Sequence, residues 1–302
     1  MGLKEEIAEL KRERDAVILA HNYQVGEIQD LADYVGDSLY LSRQAAGTSA
    51  RVLVFSGVRF MAETAKILSP EKTVLLPDLE AGCSLADSIT AEELRAWKAQ
   101  FPNAVVVSYV NTSAEVKAES DYCCTSSNAV RIVERIPADR EILFLPDMFL
   151  GEYVRKKTGR RNLHLWVGDC FVHTRMRPET IARARAAHPG AELIAHPECG
   201  CASEALPYVD RVLSTDGMVA YARETHAPEV LVATEIGILH RMEGLNPSTH
   251  FLPLSSEAVC PFMKRNTLEK VRDSLRYLRY PIDLPVPVMD RARVALERMV
   301  AS

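Results

Sequence analysis

The chain has 302 residues, of which 47% are hydrophobic and 25% charged, so it can bury a large core in several units of ordinary domain size. Its net charge of −5 and isoelectric point near 6.0 leave no basic surplus, which argues against nucleic acid as a partner. No apolar run approaches the roughly 20 residues of a membrane span, and the charged segment 1–15 reads as an amphipathic helix, so we predict a cytoplasmic protein.

Short runs rich in Val, Leu and Ile alternate along the chain with segments whose apolar residues recur every three or four positions. Runs of the first kind are typical of buried strands, and segments of the second kind are typical of helices. The strand-like runs are 17–23, 51–57, 104–111, 140–147, 192–198 and 228–237, and the helix-like segments are 31–47, 57–69, 127–136 and 216–226. Strands that alternate with helices predict parallel sheets covered on both faces.

A further helix start is predicted after each of Cys83, Cys170 and Cys260. Thr90 and Glu93 have the spacing of a capping box, and Pro178 suits a first helical turn. Asn266 or Thr267 can cap the helix that is predicted after Cys260. The stretch 280–302 reads as a Pro-rich extension followed by a short amphipathic helix that packs on the body or serves an oligomer contact.

The elements recur with a period of about 88 residues. Two sets of anchors show the period, the strand ends His21, Tyr109 and His196 and the hydroxyl residues Ser38, Ser126 and Ser214. Successive members of each set are 87 or 88 residues apart. Self-similarity at a fixed period indicates one supersecondary unit used repeatedly. We therefore predict an α/β fold of three-layer αβα sandwich domains with parallel sheets, related by a pseudo-three-fold axis.

The predicted domains are residues 1–101 with an N-terminal helix, 102–189, and 190–302 with a C-terminal extension. Ligands of open α/β sheets bind beyond the carboxyl ends of the strands. If these ends meet at the axis, the active site lies there.

Three cysteines follow the same period. Cys83, Cys170 and Cys260 are 87 and 90 residues apart, and each follows a strand-like run. Three thiolates brought to one axis suggest a metal or cluster with an open coordination position. Cys123 with Cys124, and Cys199 with Cys201, lack the spacing of zinc or thioredoxin-like sites. We interpret Cys123 and Cys124 as small buried residues at a strand end.

Hydroxyl residues stand just before predicted helices in all three repeats. Ser38, Ser126 and the pair Ser214 and Thr215 can act as N-caps beside unpaired backbone N–H groups, where anions bind well. Plain capping is the commoner role of such a residue. Three such ends facing one axis would form a pocket for a polyanionic small molecule.

Candidate acids, bases and hydrogen-bond donors cluster at the predicted strand ends. They are His21, Asn22, Tyr23, Tyr109, Asn111, His173, His196 and Glu198. Imidazole titrates near neutrality, and burial can raise a carboxyl toward the same range, so both suit proton transfer. A histidine at a strand end is more often only hydrogen-bonded. No glycine-rich nucleotide motif and no G-x-S-x-G elbow occurs.

Several longer strings resemble one known family. They include AHNYQVGEIQDLADYVGDSLYLSRQA, PDLEAGCSLAD, SYVNTSAEVKAESDYCCTSSNA, GDCFVH, HPEC and CPFMKRNTLEKV. Together and in this order they are similar to quinolinate synthases, the NadA family of NAD biosynthesis, over nearly the whole chain. The resemblance implies condensation of iminosuccinate with dihydroxyacetone phosphate to quinolinate, with loss of phosphate and water.

The resemblance also implies a [4Fe-4S] cluster, one per chain, held by Cys83, Cys170 and Cys260. The family's substrate-binding motifs correspond to His21, Ser38, Tyr109, Val110, Asn111, Ser126, His196, Pro197, Glu198, Ser214 and Thr215. Tyr23 and His173 resemble further residues that line that site, and we count them as catalytic with His21, Tyr109, His196 and Glu198.

Alternatives remain open from the residues alone. Three thiolates also suit a zinc hydrolase, and a non-catalytic iron–sulfur redox sensor is a second alternative. Some relatives carry C-x-x-C-x-x-C at the third ligand, but this chain has only Cys260 there, so a disulfide switch is unsupported. We further predict functional coupling to an aspartate oxidase or aspartate dehydrogenase, and no nucleic-acid or membrane partner.

Overall fold

The structure, a computed structural model, describes residues 2–200 and 208–302. Its strands are β1 (Ala16–His21), β2 (Tyr34–Gly36), β3 (Val52–Ser56), β4 (Thr73–Leu75), β5 (Val105–Tyr109), β6 (Tyr122–Cys124), β7 (Ile142–Leu145), β8 (Leu163–Leu165), β9 (Glu192–Ala195), β10 (Arg211–Val212), β11 (Glu229–Ala233) and β12 (His250–Pro253). They form three four-stranded sheets of orders β2-β1-β3-β4, β6-β5-β7-β8 and β10-β9-β11-β12. Each pairing between these strands is parallel, and each sheet has the same order, so the predicted fold class is confirmed.

Helices connect and cover these strands. The α-helices are Leu3–Arg14, Gly26–Leu31, Ser38–Gly47, Arg59–Leu68, Ala91–Gln100, Ala114–Lys117, Ala129–Glu134, Met148–Thr158, Phe171–Thr174, Pro178–Ala187, Thr215–Glu224, Ile238–Leu245, Leu268–Tyr277 and Val286–Val300. Short 3-10 helices span Ala86–Ser88 and Met263–Arg265. No helix in the described ranges is both long enough and apolar enough to cross a bilayer.

The predicted helix starts are mostly confirmed. Thr90 and Glu93 form both halves of a capping box, Pro178 lies in a first turn, and Thr267 rather than Asn266 caps its helix. The predicted helix 31–47 is wrong over its first part, because Tyr34–Gly36 form strand β2 and the helix begins only at Ser38. The Asp37 side chain accepts from the backbone N–H of Tyr40 and fixes that start.

An aspartate that recurs in all three sheets was not predicted from the sequence. An aspartate before the second strand of each sheet accepts a hydrogen bond from a backbone N–H of the first strand. The pairs are Asp33 with Ile18, Asp121 with Val106 and Asp210 with Leu193, at 2.7, 2.8 and 2.6 Å. A carboxylate at this place satisfies an N–H group that precedes the ladder pairing.

We expect Asp121→Ala to lower the free energy of unfolding by about 1–2 kcal/mol, because a charge-assisted hydrogen bond is lost and the Val106 N–H is left without it. Asp121→Asn keeps an acceptor oxygen and is expected to lose less. Urea unfolding followed by circular dichroism measures both variants. Equal stability of the alanine variant and the parent chain would show that water replaces the bond without cost.

The helix after each of the three cysteines packs on the next sheet. Leu94, in the helix after Cys83, belongs to the core of the second sheet, and Ile181, in the helix after Cys170, belongs to that of the third. Val271, in the helix after Cys260, returns to the core of the first sheet. The three units are thereby linked in a circle, which brings the carboxyl ends of their strands together.

The last helix crosses between units. Val286–Val300 packs on the helices Ser38–Gly47 and Arg59–Leu68 of the first unit, and on Ala114–Lys117 and strand β6 of the second. The predicted packing of this segment on the body is confirmed. The domain boundaries 1–101, 102–189 and 190–302 stay a prediction.

Candidate active site

One cavity lies where the three sheets meet and gathers most of the predicted site residues. Those that line it are His21, Tyr23, Ser38, Cys83, Tyr109, Asn111, Ser126, Cys170, His173, His196, Glu198, Thr215 and Cys260. Val110, Pro197 and Ser214 are not among the lining residues. Ser214 instead accepts from the Gly217 N–H at 3.2 Å and caps the helix that Thr215 begins. The binding and catalytic roles themselves stay predictions.

The structure adds lining residues that the sequence analysis missed. They are Asp37, Val58, Phe60, Met61, Gly82, Thr125, Val172, Glu235 and Met263. Asp37 and Thr125 immediately precede the predicted Ser38 and Ser126, and Glu235 follows strand β11 within a run already identified. Their positions next to predicted site residues, or at the end of a predicted strand in the case of Glu235, were the available signal for these three.

Glu198 and two histidines form the polar centre of the cavity. Glu198 Oε2 lies 2.9 Å from His173 Nδ1 and 3.4 Å from His196 Nδ1. The two imidazole rings stack with centroids 5.0 Å apart, and Ser126 Oγ lies 3.0 Å from His196 Nε2. Among the described residues Glu198 Oε1 has no hydrogen-bond partner, which leaves one carboxylate oxygen for a ligand.

The electrostatics of this centre set the charge on Glu198 and its neighbours. Burial opposes ionisation of Glu198, but His173 and His196 outweigh it and hold the pKa of the carboxyl below its usual range. Burial and the nearby His196 lower the pKa of His21 to about 3, so that its ring is neutral near pH 7. The cavity therefore places an ionised carboxylate among imidazoles.

Two tyrosines supply hydrogen-bond donors. Burial and the Glu198 carboxylate raise the pKa of Tyr23 and of Tyr109 well above the ordinary value, so both hydroxyls stay protonated. The Tyr23 hydroxyl lies 2.5 Å from Thr234 Oγ1, which in turn lies 2.9 Å from His173 Nε2. Tyr23, Thr234 and His173 thus form one hydrogen-bonded chain, and the His173 ring lies against the Glu198 carboxylate.

The three cysteines present equivalent sulfur atoms to the cavity. Each sulfur accepts hydrogen bonds from the backbone N–H groups two and three residues later; these are Leu85 and Ala86 for Cys83, Val172 and His173 for Cys170, and Phe262 and Met263 for Cys260. All three are free of disulfides. Burial raises the pKa of each thiol, that of Cys83 to about 12, so a cation is needed to hold the thiolates.

This donor set fits an iron–sulfur cluster with three protein ligands. Thiolates at three equivalent places, each with two N–H donors, match the ligation and hydrogen bonding that such clusters use. A second group is also compatible with a metal, since ligand atoms of Cys170, His173 and Glu198 lie within 4.8 Å of one another. That group could hold a single ion, so the two arrangements differ in whether Cys83 is required.

A buried ion pair supports the third cysteine. Glu235 is fully buried, and its Oε1 accepts from the Cys260 backbone N–H at 3.0 Å and lies 2.9 Å from Lys264 Nζ. Lys264 Nζ also donates to the backbone carbonyl of Tyr23. The pair thereby ties the Cys260 loop to the segment that carries Tyr23.

Asp37 lies in the cavity wall, and we expect its carboxyl to make the stability of the chain depend on pH. Burial and the neighbouring Asp216 raise the pKa of Asp37 to about 7. The folded chain then binds more protons than the unfolded chain between about pH 4 and pH 7, so this carboxyl's contribution to stability is present at low pH and lost as the pH rises through that window.

Asp37→Asn removes the charge and keeps an acceptor for the Tyr40 N–H. We expect it to stabilise the chain by about 1–3 kcal/mol at pH 8 and by much less at pH 5. Thermal unfolding at both pH values measures the difference, with Asp139→Asn at an exposed position as the control. A gain that does not change with pH would contradict the raised pKa.

Comparison with known proteins gives a consistent result. A family model described as "Quinolinate synthetase A protein" (NadA) matches residues 5–301. Among curated relatives, a quinolinate synthase of Thermus thermophilus is 58% identical over 99% of this chain and 97% of its own length. Those of Mycobacterium sp. (strain KMS) and Pyrobaculum aerophilum are 54% and 48% identical over 98% of this chain and over 90% and 98% of theirs. The chain therefore belongs to the quinolinate synthase family and is an enzyme of that type.

Proposed function

We propose that this enzyme condenses iminosuccinate with dihydroxyacetone phosphate to give quinolinate, phosphate and water. The observation that carries the proposal is the shared cavity, in which three equivalent thiols face a buried carboxylate–imidazole group and the starts of two ten-residue helices. Such a cavity suits two anionic substrates that must lose hydroxyl and phosphate groups. The relatives that the chain matches are named quinolinate synthases.

The polyanionic substrates are bound by the hydroxyl side of the cavity. Ser38 and Thr215 are the first residues of their helices, where unpaired N–H groups and the helix dipole favour phosphate or carboxylate. Asn111 and Ser126 add neutral hydrogen-bond donors to the same wall. These neutral donors can bind the substrates' phosphate or carboxylate oxygens without a positively charged side chain.

Protons are moved by the carboxylate–imidazole group. The Glu198 carboxylate lies against the His173 and His196 rings, and either ring can take a proton from a substrate carbon or nitrogen and return it to a departing hydroxyl. Tyr23 is connected to the same group through Thr234 and can donate to a developing oxyanion. Tyr109 and His21 complete the wall around the reacting atoms.

A [4Fe-4S] cluster, one per chain, would be held by Cys83, Cys170 and Cys260. When bound, a cluster with three protein ligands supplies an iron that polarises a substrate oxygen as a Lewis acid. The buried thiols and their N–H donors support this assignment.

The test is an anaerobic assay of the purified chain. We expect quinolinate to form from iminosuccinate and dihydroxyacetone phosphate, together with about four iron atoms per chain. One zinc per chain without iron would favour the hydrolase alternative, and a cluster whose spectrum ignores both substrates would favour the sensor. Absence of quinolinate from iron-loaded protein would refute the proposed reaction.

The place in metabolism follows from the chemistry. Quinolinate is an intermediate of de novo NAD biosynthesis, and we propose a cytoplasmic enzyme of that pathway. Iminosuccinate hydrolyses readily, so we propose functional coupling to an aspartate oxidase or aspartate dehydrogenase that supplies it. The test measures the rate of quinolinate formation in a coupled assay that contains such an enzyme. The same rate is measured without that enzyme, with iminosuccinate formed from added oxaloacetate and ammonia.

A further inference from the structure

The turn that carries Ser126 is held by a neighbouring asparagine. Residues 125–128 connect strand β6 with the helix Ala129–Glu134. Asn128 Oδ1 accepts from the Thr125 backbone N–H at 2.7 Å and from the Thr125 hydroxyl at 3.2 Å. This closes the turn around Ser126, whose Oγ lies 3.0 Å from His196 Nε2.

The other end of the Asn128 side chain reaches across to the last helix. Asn128 Nδ2 donates to the Met299 carbonyl at 3.1 Å and to Ser302 Oγ at 2.6 Å. Asn128 is 1% exposed, so neither bond can be replaced by bulk water at no cost. The cavity turn is therefore tied to residues that lie more than 170 positions away in sequence.

The first unit is tied to the same helix end. Arg43 Nη2 donates to the Val300 carbonyl at 2.7 Å and to the Ser302 carbonyl at 3.1 Å, and its Nε donates to Val300 at 3.2 Å. Arg43 belongs to the helix that Ser38 begins at the cavity. The last carbonyls of a helix have no partner within the helix, so here they are satisfied by two elements that line the site.

Apolar packing fixes the helix in place. Its residues Ala292, Ala295, Leu296 and Met299 are fully buried and belong to the same core as Phe60 and Met61 of the cavity wall. The helix thus offers a firmly packed surface against which the Ser38 helix and the Ser126 turn are both positioned.

We infer that residues 286–302 act as a positioning clamp that holds the Ser38 helix and the Ser126 turn at one distance across the cavity, with Arg43 and Asn128 as its two contacts. The inference rests on the proposed function in one respect, that Ser38 and Ser126 bind substrate. Neither Arg43 nor Asn128 is a lining residue, so both act through others.

Asn128→Asp tests the clamp. Aspartate keeps the acceptor for Thr125 and removes the donor to Met299 and Ser302. We expect KM to rise about tenfold while kcat changes less than about threefold, because binding geometry is loosened and the proton-transfer groups are left intact. Amide hydrogen exchange should accelerate in residues 124–130, and iron content should stay at the parent value.

A matched control lies on the same helix. Arg291 is exposed and contacts Glu119 only through a surface ion pair, so Arg291→Ala should leave KM and exchange unchanged. If Asn128→Asp fails to fold, Arg43→Met is the second variant; because Arg43 is exposed, we expect a smaller rise in KM, with faster exchange in residues 38–47.

The outcomes are distinguishable from failure of the proposed function. A parent chain that forms no quinolinate refutes the function itself, whereas an active parent with an unchanged KM in a clamp variant overturns the clamp. A lower melting temperature without a change in KM would show that the contacts serve stability alone, and would also overturn it. A KM for Asn128→Gln that lies between those of the parent chain and of Asn128→Asp would support the clamp, because glutamine keeps an amide donor.

Discussion

Glu198→Gln is expected to reduce quinolinate formation by roughly 10²–10⁴-fold, the range that a positioned acid or base contributes. Glutamine has nearly the same volume and can occupy the same place, but it carries no charge. The change removes the carboxylate that lies 2.9 Å from His173 and 3.4 Å from His196. Both imidazoles then lose the carboxylate beside them, and the hydrogen-bonded chain from Tyr23 to His173 ends without it.

The measurement is kcat and KM under anaerobic conditions, with iron content and cluster absorbance determined on the same sample. Glu141→Gln is the matched control, because Glu141 lies 2.6 Å from His164 but is 48% exposed and lies outside the cavity. That variant should keep full activity. Full activity in Glu198→Gln, with normal iron, would remove Glu198 from the catalytic group.

Cys83→Ala is expected to abolish both the cluster and the activity. A cluster held by only two thiolates loses a third of its protein ligation. Iron per chain should fall to near zero with loss of the broad visible absorbance. The variant should still fold, since Cys83 lies at the cavity rather than in the centre of a core.

The same variant separates the two metal arrangements. A single ion bound by Cys170, His173 and Glu198 does not need Cys83, so metal retained in Cys83→Ala would favour that site over the cluster. Cys123→Ala is the control, because Cys123 is fully buried in strand β6 and does not line the cavity. It should lose about 1 kcal/mol of stability and keep its iron.

Much of the fold was available from periodicity. The first and third strands of each sheet are short and largely buried, so they appear as Val, Leu and Ile runs, and the period of about 88 residues aligns them in three sets. Where local pattern and tertiary structure disagree, as at 34–36, the helix-like spacing of apolar residues continued through a strand. Strand β2 has only three residues and lies at the edge of its sheet, so it is too short to show an alternation that distinguishes it from the helical pattern.

The circular closure could not be predicted. The helix Leu268–Tyr277 has the same amphipathic character wherever it docks, and only the vacant face of the first sheet decides that it packs there. The buried pair of Glu235 and Lys264 was missed for a similar reason. An isolated charged residue in sequence is usually solvated, and its burial depends on a partner 29 positions away.

The sequence by itself determined the three-fold period, the parallel α/β class and the set of cysteines, histidines and hydroxyls that would meet, because each depends on spacing along the chain. Tertiary structure alone decided which of these face one another. Thr215 rather than Ser214 reaches the cavity, Glu198 lies between two histidines, and Asn128 ties the Ser126 turn to the last helix. The contacts of Glu198 with His173 and of Asn128 with Met299 join residues of different predicted units, and their geometry is set by how the sheets pack rather than by any local pattern.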